Sequence, residues 1–163
     1  MAGILATSYG LNHQKAYAGM IADGELANII SKLNSTDDTI PYGKAVFRIG
    51  EDEAGLPTDA STADQFVGVA VRELNRAYMD GQAFGAVPNK DFSVLTAGVI
   101  WVTTGAAVTV GQPVYARVGT SETGDFAPTA GAGATLAVLV PNAKFVTSAE
   151  IGELAKISFV VGG

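Results

Sequence analysis

From Pro41 onward the chain is a succession of short apolar runs rich in valine, isoleucine and phenylalanine, each closed off by glycine, proline or small polar residues. Runs of this length, without the 3.6-residue spacing of an amphipathic helix, can bury their side chains only as strands. The first covers residues 45–49, entered through Pro41-Tyr42-Gly43. Residues 66–71 form a continuous apolar stretch whose valine content selects strand over buried helix. Residues 91–95 and 98–103 flank Thr96-Ala97 and read as a hairpin. Further runs at 107–110, 113–117, 135–140, 144–146 and 154–161 complete an expected all-β fold. Its architecture is expected to be a single β-barrel or sandwich domain of about nine short strands, residues 40–163.

Residues 1–39 read differently. Apolar bursts at Ile4-Leu5, Met20-Ile21 and Ile29-Ile30 are interrupted by Gly10, Gly19, Gly24 and Asn34-Ser35. That pattern is too broken for a long helix and alternates too weakly for a strand. The segment is expected to be an extended N-terminal arm with little regular structure beyond one helical turn near residues 25–31. There is one internal echo: Gly43-Lys44-Ala45-Val46-Phe47 recurs as Gly111-Gln112-Pro113-Val114-Tyr115, which suggests pseudo-symmetric strand pairs. Two long insertions, 50–64 and 119–133, separate the strands of each pair.

Charge and residue chemistry narrow the function. Sixteen acids against ten bases give a net charge of −6, and the bases form no run, so the electrostatic footprint of a phosphate-backbone binder is missing. No direct nucleic-acid contact is expected. The 163 residues include no cysteine, which removes thiolate metal sites and a Cys nucleophile. No stretch of 18 apolar residues crosses a membrane and no basic n-region precedes an apolar core, so a soluble, unprocessed chain is expected. His13, in the arm, is the only histidine, and no Ser/His/Asp order uses it. The glycine-rich stretch 130–134 precedes a strand and lacks the Lys-Ser/Thr pair of a phosphate loop. Glu51, Asp52, Glu53, Asp59 and Asp64 gather in the first insertion without calcium-loop spacing, and read as a solvated acidic loop. No catalytic, cofactor or metal site is expected. Trp101 alternates with Val99 and reads as a core residue or an intersubunit anchor.

Six segments in order carry a resemblance: AYAGMIADGELANIISKLN, IPYGKAVFR, QFVGVAVRELNRAY, GVIWV, GQPVYAR and NAKFVTSAEIGELAKISF. Together they resemble the structural cement, or head decoration, proteins of tailed bacteriophages. In that family a Gly-Met-Ile-Ala-Asp segment and an Ile-Pro-aromatic-Gly entry precede a capsid-binding β domain, and a Phe-Val-Thr-Ser-Ala segment closes it. The resemblance implies a non-enzymatic virion protein, made in the host cytoplasm, that adds to the outer surface of an assembled head. There it bridges neighbouring major capsid proteins against internal DNA pressure. The implied partners are the major capsid protein and further copies of the chain, as a dimer or trimer, with no membrane contact. Apolar arm residues suit docking on a neighbour, which makes Tyr9, Leu11, Tyr17, Met20 and Ile21 the candidate contacts and the two insertions secondary ones. The alternative class is a small-molecule or glycan-binding β-barrel, against which stand the low aromatic content of 8 % and the scatter of those rings.

Overall fold

The structure, a computed structural model, describes residues 16–73 and 84–160. Its strands are β1 (Asn28–Asn34), β2 (Ile40–Pro41), β3 (Ala45–Arg48), β4 (Glu53–Gly55), β5 (Phe66–Ala70), β6 (Gly85–Ala86), β7 (Asp91–Thr103), β8 (Pro113–Arg117), β9 (Phe126–Ala127), β10 (Ala137–Phe145) and β11 (Leu154–Val160). Two single-turn 3-10 helices, Ala63–Gln65 and Gly133–Thr135, are the only helices among the described residues. The all-β expectation holds.

Nine strands form one sheet in the order β1-β4-β3-β5-β7-β11-β10-β8-β9, and β1 also pairs with β7. That extra pairing closes β1, β4, β3, β5 and the first half of β7 into a ring. The far end closes as well: Phe126 of β9 bridges Thr104, and the Gly105 N–H donates to the Phe126 carbonyl at 2.8 Å. Two small barrels therefore share β7. Closure pairs backbone groups that an open sheet would leave as edges.

The echo between residues 43–47 and 111–115 corresponds to equivalent strands. β4-β3-β5-β7 and β9-β8-β10-β11 are both antiparallel runs, and a 3-10 helix directly precedes both β5 and β10.

Several local expectations are corrected. No helical turn forms near 25–31; Asn28–Asn34 is β1, paired with β7 from Asn28 opposite Ala97 to Leu33 opposite Asp91. Part of the segment assigned to the arm is thus a wall of the first barrel. Thr96-Ala97 is not a hairpin turn, since β7 runs unbroken through 13 residues. The alternation breaks there because of a bulge: Asn28 lies opposite Ala97 and Ile29 opposite Leu95, which leaves Thr96 as the extra residue. The Asn28 side-chain amide donates to the Thr96 hydroxyl at 2.7 Å, and that hydroxyl donates to the Asn28 carbonyl at 3.1 Å. Before the bulge Phe92 and Val94 enter the smaller core cluster; after it Ile100 and Val102 enter the larger one. One strand serves both barrels by switching faces. The runs 135–140 and 144–146 are one strand, β10, kinked where its register against β8 shifts between Leu139 and Lys144. Residues 107–110 contribute only an isolated bridge, Val108 to Ala149.

The smaller cluster contains Val46, Ala70, Phe92 and Val94. The larger takes Phe47, Phe66 and Leu95 from one barrel and Phe126, Phe145, Ile157 and Phe159 from the other. Phe66 stacks edge-on against both Phe47 and Phe159, at 5.6 Å and 6.1 Å between ring centres.

Buried polar groups fasten the loops. Asn34 is fully buried, with its amide donating to the carbonyls of Asp38 and Ala86 and its oxygen accepting from the Thr36 N–H and hydroxyl. Lys44 at the entry to β3 pairs with Asp125 before β9 at 2.5 Å, a tie between the barrels, while Arg117 pairs with Glu122 and donates to the Gly105 carbonyl. Burial pushes the Asp125 carboxyl above its ordinary value of 3.8, against the pull of Lys44. A carboxyl raised on folding favours the folded state in acid: its contribution is complete below 3.8 and is lost as pH rises through the folded value. Asp125→Asn should flatten that part of the profile when melting temperature is followed from about pH 3.5 upward.

Candidate functional site

Residues 16–23 lie across the surface where the two barrels meet. The Gly19 N–H donates to the Trp101 carbonyl at 2.7 Å, the Trp101 N–H to the Met20 carbonyl at 2.9 Å, and the Ala22 N–H to the Val99 carbonyl at 2.8 Å. Ile21 thereby pairs with Ile100 on the side of β7 opposite Ile157 of β11. The crossing depends on two glycines with positive φ, Gly19 at 80° and Gly43 at 82°. A Cβ on Gly19 would sit 2.8 Å from the Gly43 nitrogen and 2.9 Å from the Ala70 carbonyl oxygen, so only glycine lets these backbones touch.

This anchoring displays side chains outward. Tyr17 is 46 % exposed, Met20 42 % and Phe84 45 %. Tyr17, Met20, Ile21, Val71 and Arg72 line a groove of about 450 Å³. The Arg72 guanidinium lies 4.3 Å from the centre of the Tyr17 ring and 4.5 Å from that of Phe84, and Phe84 meets Tyr42 edge-on at 5.2 Å. The Arg72 backbone N–H donates to the Gly19 carbonyl at 2.8 Å, which locks the base of the stack to the crossing segment. Beside it, Lys156 pairs with Asp23 at 3.1 Å and lies 5.3 Å from the ring centre of Trp101. Trp101 itself is 5 % exposed and occupies a core position.

Three of the five candidate contacts, Tyr17, Met20 and Ile21, are thus brought together. Tyr9, Leu11 and His13 lie outside the described residues. Reading the sequence did not find Arg72, Phe84 or Tyr42, whose partners stand far away along the chain. The insertions are more structured than loops: 50–64 contains β4 and a 3-10 turn, and 119–133 contains β9. Asp52 is paired with Lys32 at 3.6 Å, and among the described residues no three acids or histidines converge on a point where a cation would sit. A second groove, of about 590 Å³, opens on the other barrel between Val110, Leu139, Asn142, Lys144 and Val146. Its one aromatic lining residue, Phe145, is buried, so no ring is displayed outward there.

A family model described as structural cement protein (E217 gp24/Pam3 gp6) matches residues 5–160. The chain belongs to the phage structural cement proteins. Membership assigns it a capsid-stabilising role in the phage head, structural in character. A solved chain from "The capsid of Myoviridae Phage XM1" is 18 % identical, with 98 % of each chain covered and a TM-score of 0.74. That likeness establishes a shared fold. A chain from "The crystal structure of head fiber gp8.5 N base in bacteriophage phi29" is 14 % identical over 84 % of this chain and 97 % of that one, at a TM-score of 0.39, too low to carry an argument. No curated protein sequence matches the chain.

Proposed function

We propose that this chain binds the outer surface of assembled phage heads and cross-links neighbouring major capsid proteins, so that the shell withstands the pressure of packaged DNA. The observation that carries this reading is the family match over residues 5–160. The patch formed by Tyr17, Met20, Arg72 and Phe84 supports it, because tyrosine, phenylalanine, methionine and arginine are the residue types enriched at interface centres. In this reading the chain acts in the virion as a dimer or trimer, so that modest contacts add by avidity across a repeating lattice, without touching nucleic acid or membrane. Affinity for the lattice alone stabilises it by mass action.

Purified protein is expected to add to heads lacking it in a fixed ratio to capsid subunits and to raise the temperature at which they rupture. Binding should survive a change from about 0.1 M to about 0.5 M salt, over which the Debye length falls from about 10 Å to roughly 4 Å. Equal binding to free capsid subunits, or none to heads, overturns the proposal.

A further inference from the structure

Most of the bases whose contacts were described above are spent within the chain. Lys32, Lys44, Arg117 and Lys156 each pair with one of its own carboxylates. Arg72 does not. Its guanidinium carbon lies against two aromatic rings, Tyr17 and Phe84, and its side chain makes no hydrogen bond or ion pair to a described residue. A guanidinium held against rings but without an acceptor keeps its fork of N–H donors, which matches the two oxygens of a carboxylate.

The surroundings suit such a contact. Tyr17, Met20 and Phe84 form an exposed apolar rim whose closure against a partner would exclude water and strengthen a charge pair inside it. The backbones that carry Arg72 and Tyr17 are also tied together before any partner arrives, by the Arg72 N–H on the Gly19 carbonyl and the Gly19 N–H on the Trp101 carbonyl. Less main-chain ordering therefore remains to be done on binding.

We propose that Arg72, held against the rings of Tyr17 and Phe84, receives an aspartate or glutamate side chain from a capsid subunit. This rests on the head-binding reading above and names the chemistry of one contact in it. A carboxylate is chosen by charge complementarity and by its match to the guanidinium's fork of donors. A capsid subunit is the occupant because the head-binding reading, carried by the family match over residues 5–160, makes the capsid the surface this chain docks on.

The test measures attachment of the full chain to heads depleted of it. Arg72→Met keeps an apolar stem under the rings and removes the fork; Arg72→Lys keeps the charge and removes the plane. Both should bind at least ~10-fold more weakly than the unaltered chain, with melting temperatures unchanged. As a second measurement that needs no variant, heads whose surface carboxylates are amidated with carbodiimide and ethanolamine should bind the unaltered chain ~10-fold more weakly and no longer distinguish it from Arg72→Met. If the unaltered chain binds heads and Arg72→Met binds equally well, the carboxylate contact is wrong while the head-binding reading stands. Full binding by Arg72→Lys also overturns it, since a point charge then suffices. So does a loss of self-association in Arg72→Met, seen by sedimentation, because the occupant is then a second copy. Failure of the unaltered chain to bind untreated heads refutes the underlying reading instead.

Discussion

Gly68→Ala is expected to destabilise the chain by about 3 kcal/mol or more, the upper end of what overpacking costs. Gly68 stands in the middle of β5, between β3 and β7. A Cβ placed there would lie 2.0 Å from the Leu95 carbonyl oxygen and 2.8 Å from a methyl of Val94. The nearest obstacle is backbone, so a rotamer change cannot relieve it; β5 must move away from β7, which opens the first barrel. A strand glycine often marks such a close approach of two backbones. Against a total stability of about 5–15 kcal/mol, a loss of this size leaves a marginal domain. Gly24→Ala is the matched control, since nothing lies within 4 Å of the position and its shift should stay within about 0.5 kcal/mol. Denaturant titration of both variants measures the difference. A Gly68→Ala protein as stable as the control would mean that β5 and β7 are not in contact at this point.

The second large effect is expected at Phe66. Its ring is buried in the row Phe47, Phe66, Phe159, where the cores of the two barrels merge. Phe66→Ala removes the central ring and leaves a cavity between rigid strands, at a cost of about 3–5 kcal/mol. Two edge-on ring contacts are lost with it, each of about 0.5–1.5 kcal/mol, which places the value toward the top of that range. Phe66→Leu fills most of the space and should cost roughly half as much or less. Because the larger cluster draws on both barrels, calorimetry should show one transition for the unaltered chain and for both variants. Two separate transitions would show that the barrels are independent domains.

Much of this was legible in the sequence. The runs at 45–49, 66–71 and 113–117, and 154–161 as far as residue 160, coincide with strands: 66–70 is a continuous apolar stretch with both faces largely covered, whereas Leu154–Val160 alternates buried with half-buried residues. The equivalence of 43–47 with 111–115 was visible as well, since turn glycines and the strands that follow them leave a local trace. What failed was whatever depended on a distant partner. Asn28–Asn34 alternates poorly because neither face is fully buried before Asn34, and it is a strand through its pairing with β7 and β4. Thr96 looked like a turn because a bulge and a turn both break alternation, and the hydroxyl bonds to Asn28 that distinguish them come from the far side of the sheet.

At the candidate site, local sequence marked Tyr17, Met20 and Ile21 as apolar residues in a glycine-broken segment, which is a local property. It said nothing of Arg72, whose significance lies in two rings brought against its guanidinium from separate parts of the chain. The sequence by itself determined the strand content, the absence of cysteine chemistry and the family signature, all of which follow from residue type and short-range spacing. Only the tertiary structure decided the closure of the two barrels, the shared strand and the stacked guanidinium, because each depends on contacts between residues whose separation along the chain carries no local signal.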